Sequence, residues 1–95
     1  VKIYNVYILK CSDGSYYTGV TNDLVRRISE HNSGDNKKSY TFFRRPLKLV
    51  FYSEFSDVEF AIEAEKQIKK WSKAKKEALI NKKFDLLVNL SKKKF

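Results

Sequence analysis

The stretch Ile3 to Lys10 is β-branched and aromatic and reads as a strand. Ser12-Asp13-Gly14 is turn chemistry, and Ser15 to Val20 reads as the returning strand. Asn22 or Thr21 is placed to cap a helix from about Asp23 to Asn32, which Ser33-Gly34 stops. A loop rich in Lys, Arg, Tyr and Phe runs from Gly34 to Pro46. Leu47 to Glu54 carries apolar side chains on both faces and is expected to be a well-covered third strand. Ser56-Asp57-Val58-Glu59 has the form of a capping box, opening a helix to about Trp71. Ser72 is placed to cap a shorter helix through Asn81, and Asp85 to Leu90 could add a last turn or two. The basic tail, from about residue 91 and including Lys92, Lys93 and Lys94, is expected to fray. The order β-β-α-β-α-α is that of an α+β fold: a three-stranded antiparallel sheet needs helices to cover it, and three are available.

Turn length decides which tyrosines meet. A two-residue Asp13-Gly14 loop would put Tyr7 and Tyr17 on opposite faces of the hairpin. A three-residue loop with Gly14 left-handed pairs Cys11 with Ser15, Leu9 with Tyr17 and Tyr7 with Gly19. Tyr7 and Tyr17 then become diagonal neighbours on one face, and Gly19 leaves the space opposite Tyr7 open. The longer loop is favoured. Two phenols beside a glycine can make a site, although tyrosine is also simply a good strand former.

At about 100° per residue, Leu24, Arg27, Ile28 and His31 share one stripe of the first helix, and Arg26 points away. An arginine at the edge of that stripe can reach a phosphate oxygen over the sheet, or only lay its stem on the core. His31 is either a site residue or a satisfied, half-buried histidine near a helix end. In the second helix Phe60, Ala61, Ala64, Ile68 and Trp71 form the apolar stripe, with Glu65 at its edge. A carboxylate beside small alanines can hold one hard cation, with waters and phosphate oxygens completing the shell. The competing reading is a flanking glutamate paired with a lysine.

Composition narrows the partner. The 95 residues suffice for one domain, 1–95, and carry 20 Lys and Arg for a net charge of +9. Such a chain attracts polyanions, or merely wears a solubilising lysine coat. Lys37, Lys38, Arg44 and Arg45 are interleaved with Tyr40, Phe42 and Phe43, a mixture suited to phosphates and unpaired bases if the rings face outward. If Phe42 and Phe43 fold back into the core, only the charges remain. The single Cys11 forms no internal disulfide, and no apolar run approaches a membrane span or a signal peptide, so a reduced, cytoplasmic protein is expected. There is no Ser-His-Asp set, no CxxC and no glycine-rich phosphate loop, and one Cys with one His cannot close a zinc site.

Val6-Tyr7-Ile8 followed by Tyr17-Thr18-Gly19 resembles the paired motif of the GIY-YIG nuclease superfamily. The continuation from Val20 to Asn32, with Arg27 and His31, is similar to that family's motif running into its first helix, and Ala64-Glu65 resembles the site of its metal-binding glutamate. The likeness covers nearly the whole chain and is greatest to the small stand-alone bacterial members. Relatives include the N-terminal nuclease of the excision-repair endonuclease. Val6 replaces the first glycine and Thr18 the middle isoleucine, exchanges also found in that small branch. The resemblance implies a sheet with its first strand central. It also implies metal-dependent hydrolysis of phosphodiester bonds in nucleic acid, DNA before RNA, of repair or recombination type.

By the same resemblance, Tyr7 acts as or positions the general base. Tyr17 and Arg27 orient the nucleophile and stabilise the phosphorane, and His31 assists at the phosphate or in proton transfer. Glu65 holds a single Mg²⁺ or Mn²⁺ as Lewis acid. Asn81 and Asn89 are both candidates for the asparagine that often follows the metal glutamate. Two other functions compete. One is a nucleic-acid-binding or adaptor module that keeps the fold without cutting, and the other is a subunit docking on a larger complex through its aromatic surface.

Overall fold

The computed structural model describes residues 2–34 and 37–81. Strands β1 (Tyr4–Lys10) and β2 (Tyr16–Thr21) lead into helix α1 (Leu24–Ser33). A 3₁₀ turn at Phe42–Arg44 precedes strand β3 (Lys48–Phe55) and helices α2 (Val58–Lys69) and α3 (Lys73–Ile80). The sheet is antiparallel in the order β2-β1-β3. The expected elements at Asp85 to Leu90 and the tail from about residue 91 lie outside the described residues, as does Asn89. Among the described residues no helix is long and apolar enough to cross a membrane.

Strand β1 is central because its residues are apolar on both faces: Val6, Tyr7, Ile8 and Leu9 are each fully buried. Alternation divides them between two cores. Val6 and Ile8 pack with Ala61 and Ile68 of α2, joined by Trp71 and by Leu79 and Ile80 of α3. Tyr7 and Leu9 face the other way, with Cys11, Leu47, Tyr17 and the Leu24–Ile28 stripe of α1. Truncating a residue such as Ile8 to Ala would cost about 2–5 kcal/mol.

The turn between β1 and β2 takes the longer form. Cys11 N–H donates to Ser15 O at 2.8 Å, Gly14 N–H donates to Cys11 O at 3.0 Å, and Gly14 is left-handed at φ 85°. The register follows, with Tyr7 opposite Gly19 and Leu9 opposite Tyr17. Between β1 and β3 the pairing slips at Ile8/Leu9, from Ile8–Phe51 to Leu9–Leu49. The bulge lets Val50 and Phe51 both join the α2 core while Leu49 joins the other.

The structure departs from the sequence reading at four places. Helix α1 is capped by Asp23, whose carboxylate accepts from Arg26 N–H, and Thr21 Oγ1 instead braces the backbone of Asp23. Helix α2 is capped by Asp57 rather than Ser56, its carboxylate accepting from Glu59 N–H at 2.8 Å. Strand β3 is an edge strand with only partial cover, and Tyr52 is 55% exposed. Phe60 is 69% exposed, because α2 approaches the sheet through Ala61 and Ile68, which turns the Phe60 flank outward.

Candidate active site

The hairpin register places the two tyrosines. Tyr7 and Gly19 are directly opposite on the α1 face, and Tyr17 is the diagonal neighbour. Gly19 has no positive φ, and its need for glycine is one of space: a Cβ there would overlap the phenol oxygen and lie 2.5 Å from Cζ of Tyr7. The Tyr7 ring therefore lies over bare backbone. The two tyrosine rings are 6.4 Å apart and tilted by 43°.

Helix α1 supplies His31 and Arg27 one turn apart, as the stripe predicts. His31 Nε2 is 3.1 Å from the Tyr7 hydroxyl, and its ring meets Tyr17 edge-on at 5.1 Å. His31 Nδ1 is 2.9 Å from Oγ1 of Thr41, which is 1% exposed and in turn 3.0 Å from Ser39 Oγ. Arg27 pairs with Glu30 at 3.3 Å, and both side chains are partly exposed. Arg26 points outward and meets Glu30 from the other side at 3.4 Å.

Burial pushes the Tyr7 phenol up to about 12, with Tyr17 adding to the rise. The Arg27 guanidinium opposes this and the Glu65 carboxylate reinforces it. Burial, and then the Arg27 charge, hold His31 below its ordinary value, against a smaller opposite pull from Glu30. Both groups are thus neutral at pH 7. Where the phenol donates to Nε2, the neutral imidazole carries its proton on Nδ1 and donates it to Thr41 Oγ1. The sequence reading missed Thr41, since no spacing marks a loop threonine as the partner of a helix histidine.

Glu65 lies on α2 beside Ala64, its side chain 14% exposed, with Lys69 Nζ at 3.6 Å. Its charge acts on Tyr7, so Tyr17, Arg27, His31 and Glu65 all interact with the Tyr7 phenol. A cleft of about 360 Å³ opens over this group between α1 and the following loop, lined by Tyr17, Arg27, His31, Ser39, Thr41 and Phe42 among others. Tyr7 and Glu65 are not part of its lining. Among the described residues there is no group of three or more His, Cys, Asp or Glu that could hold a metal ion. The Glu65 carboxylate offers oxygen donors of the kind a hard divalent cation takes, and a single such ligand would leave most of the cation's shell to water. Asn81 is the C-cap of α3.

The basic loop is more structured than its composition suggests. Arg44 pairs with Asp13 at 3.1 Å, donates to Tyr40 O at 2.7 Å and lies 3.8 Å over the Tyr40 ring. That ring stacks on Tyr17 at 6.1 Å. Arg45 covers Phe42 and donates to Phe42 O at 2.8 Å. Both arginines predicted to bind phosphate are thus engaged within the loop. Lys37 and Lys38 are exposed, and of the two phenylalanines Phe42 is half-buried while Phe43 is 87% exposed.

Residues 3–78 match the GIY-YIG catalytic domain family. The chain is 47% identical over 77 residues to a UPF0213 protein of Halobacterium salinarum, covering 81% of this chain and 99% of that one. It is 46% identical over 77 residues to the UPF0213 protein YazA of Bacillus subtilis, covering 81% and 77%. Among solved structures, a UPF0213 protein of Bacillus halodurans matches with a TM-score of 0.55 at 44% identity over 83% of each chain. A protein from E. faecalis matches with a TM-score of 0.62 at 38% identity over 90% of each. This chain belongs to the GIY-YIG family, among the small UPF0213 proteins.

Proposed function

We propose that the protein is a metal-dependent endonuclease that hydrolyses phosphodiester bonds in nucleic acid. The observation that carries the reading is the Tyr7–His31 hydrogen bond, set in a cluster with Tyr17, Arg27 and Glu65. DNA is favoured over RNA by the resemblance to repair and recombination nucleases.

Tyr7 is protonated at neutral pH, and its raised pKa makes its phenolate a strong base once formed. Neutral His31 is in place to take the phenol proton at Nε2 while the phenol oxygen takes one from the attacking water. The hydroxide bonds to phosphorus, the opposite P–O bond breaks, and the leaving oxygen is protonated from solvent. His31 carries the gained proton as imidazolium, with Nδ1–H held on Thr41. Arg27 stabilises the added charge on the phosphorane, and Tyr17 orients the water. Glu65 would hold one Mg²⁺ or Mn²⁺, whose bound contribution is Lewis-acid stabilisation of the phosphate and leaving oxygens.

A non-catalytic nucleic-acid-binding role is favoured by one observation, that Glu65 already has Lys69 as an ion-pair partner. Single-stranded, duplex, flapped and branched DNA and RNA should be incubated with the protein, with and without Mg²⁺ or Mn²⁺. Metal-dependent cleavage of at least one substrate is expected. Binding without cleavage of any would leave the adaptor role.

A further inference from the structure

The Thr41 hydroxyl stands between two partners, His31 Nδ1 at 2.9 Å and Ser39 Oγ at 3.0 Å. Ser39 Oγ also accepts from the Thr41 backbone N–H at 3.3 Å, which fixes the two side chains against each other. With the Tyr7 hydroxyl 3.1 Å from His31 Nε2, four side chains form one hydrogen-bonded chain, Tyr7–His31–Thr41–Ser39. Each hydroxyl has one proton to donate, and so has a neutral imidazole. The chain therefore runs in one of two directions, and reversing one donor reverses them all.

The two ends differ in their access to water, and the difference selects the direction. Tyr7 is fully buried, and among the described residues His31 Nε2 is the only group that hydrogen-bonds its hydroxyl. In the reversed chain Nε2 carries the imidazole proton and aims it at the phenol oxygen, so the phenol O–H has no acceptor. A buried donor left in that state bears its full desolvation cost. Ser39, at the other end, is half-buried and lines the cleft, so its O–H has water within reach. Run from Tyr7 to Ser39, the chain leaves no donor unpaired. The phenol donates to Nε2, Nδ1–H to Thr41 Oγ1, the Thr41 O–H to Ser39 Oγ, and the Ser39 O–H to the cleft.

We propose that Thr41 is a positioning residue of the site, itself oriented by Ser39: it holds the His31 proton on Nδ1 and so keeps the Nε2 lone pair turned to Tyr7. The use of that tautomer rests on the nuclease reading, since only a bare Nε2 takes the phenol proton while the attacking water is activated. The chemistry of the partner matters as much as its place. A carboxylate at Nδ1 would favour the charged imidazolium and fill the base before substrate arrives. A hydroxyl fixes ring and tautomer with no charge, and the base stays empty.

His31 is the single histidine of the chain, so long-range ¹H–¹⁵N correlation spectra of the labelled protein show one imidazole. At about pH 8, above the ordinary histidine value, the parent should show a protonated Nδ1 and a bare Nε2. Thr41→Val keeps the side-chain shape and removes the acceptor, so the Nε2–H tautomer should become a major form. Thr41→Ser should restore the parental spectrum. Ser39→Ala takes away the acceptor of the Thr41 O–H, which then turns to Nδ1, so it too should populate Nε2–H. In cleavage with Mg²⁺ or Mn²⁺, Thr41→Val should lower kcat about 10²-fold at unchanged KM, with recovery in Thr41→Ser.

A parent protonated on Nε2, or a Thr41→Val protein that keeps its proton wholly on Nδ1, overturns the proposal. Should Thr41→Val fail to fold, Ser39→Ala at its half-buried position decides: a mixed tautomer supports the chain and a parental spectrum refutes it. Full kcat in Thr41→Val despite a shifted tautomer would refute the positioning role and leave the nuclease reading standing. If no substrate is cut while the tautomers shift as expected, the nuclease reading falls and the hold of Thr41 on His31 stands.

Discussion

The Tyr7 hydroxyl and His31 Nε2 lie 3.1 Å apart across 24 residues of sequence, joining the middle of the central strand to the last turn of the first helix. Burial favours the neutral form of both groups, so the contact is a hydrogen bond between neutral partners and not an ion pair. Its titration should be visible in stability. The folded His31 has a depressed pKa, so the unfolded chain binds more protons below the ordinary histidine value of about 6.5. Stability from this group is fully present above about pH 6.5 and falls with pH until the folded value is reached. Urea titrations at half-unit steps from pH 5 to 8 should show this loss, and His31→Gln should flatten it. An unchanged slope in His31→Gln would place the titration elsewhere.

Gly19→Ala should destabilise the protein by about 1–3 kcal/mol, because the new methyl overlaps the Tyr7 phenol in a packed layer. In a Tyr7→Ala background the obstacle is gone. There the same change should be neutral or stabilising by about 0.4–1 kcal/mol, the usual gain from replacing a strained-free glycine. A double-mutant cycle by chemical denaturation measures the coupling, and additive effects would mean that the two residues do not compete for space.

Glu65→Gln should lower cleavage by roughly 10²–10³-fold or more, the scale of losing one transition-state electrostatic group. It should leave binding of the uncut substrate intact. The fold should change by no more than about 1 kcal/mol, since the Lys69 partner is 60% exposed. Gel-based cleavage in Mg²⁺, Mn²⁺ and excess chelator, with circular dichroism as the fold control, checks all three. Full activity of Glu65→Gln, or in chelator, would exclude a single cation held by this residue.

Lys37→Ala and Arg44→Ala should separate binding from structure. Lys37 is exposed, so its loss should flatten the salt slope by about 0.7–0.9 where it meets a phosphate, with the unfolding midpoint unchanged. Arg44 is bound to Asp13 and Tyr40, so its loss should lower the unfolding midpoint more than Asp13→Asn does. Equal midpoints for Arg44→Ala and the parent would mean that the loop is held by other contacts.

Most of this site could be read from sequence because it rests on short-range geometry. Turn length fixes hairpin register, register puts Tyr7 against Gly19, and helical periodicity puts Arg27 and His31 on one stripe. What escaped depends on long-range packing. The capping aspartates Asp23 and Asp57 differ by one residue from equally polar neighbours, and local backbone angles decide between them. Phe60 belongs to an apolar stripe by angle, yet the close approach of Ala61 to the sheet sets which part of the stripe is covered. Lys76 reads as one more surface cation, and only the packing of α3 reveals that it is buried. Thr41 and Arg44 join the site through a loop whose path no periodicity encodes.

The fastening of that loop has a kinetic consequence. Ser12 N–H donates to Arg44 O at 2.9 Å, and Arg44 reaches both Asp13 and Tyr40, so the hairpin turn and the loop are tied by backbone and side chain alike. Segments so joined open together, and their amides should exchange with solvent as one cooperative unit. Each such opening would lift Thr41 from His31 Nδ1 and Tyr40 from Tyr17 at once. The lifetime of the hydrogen bond from His31 to Thr41 is therefore tied to the opening of a surface turn, although neither residue belongs to that turn.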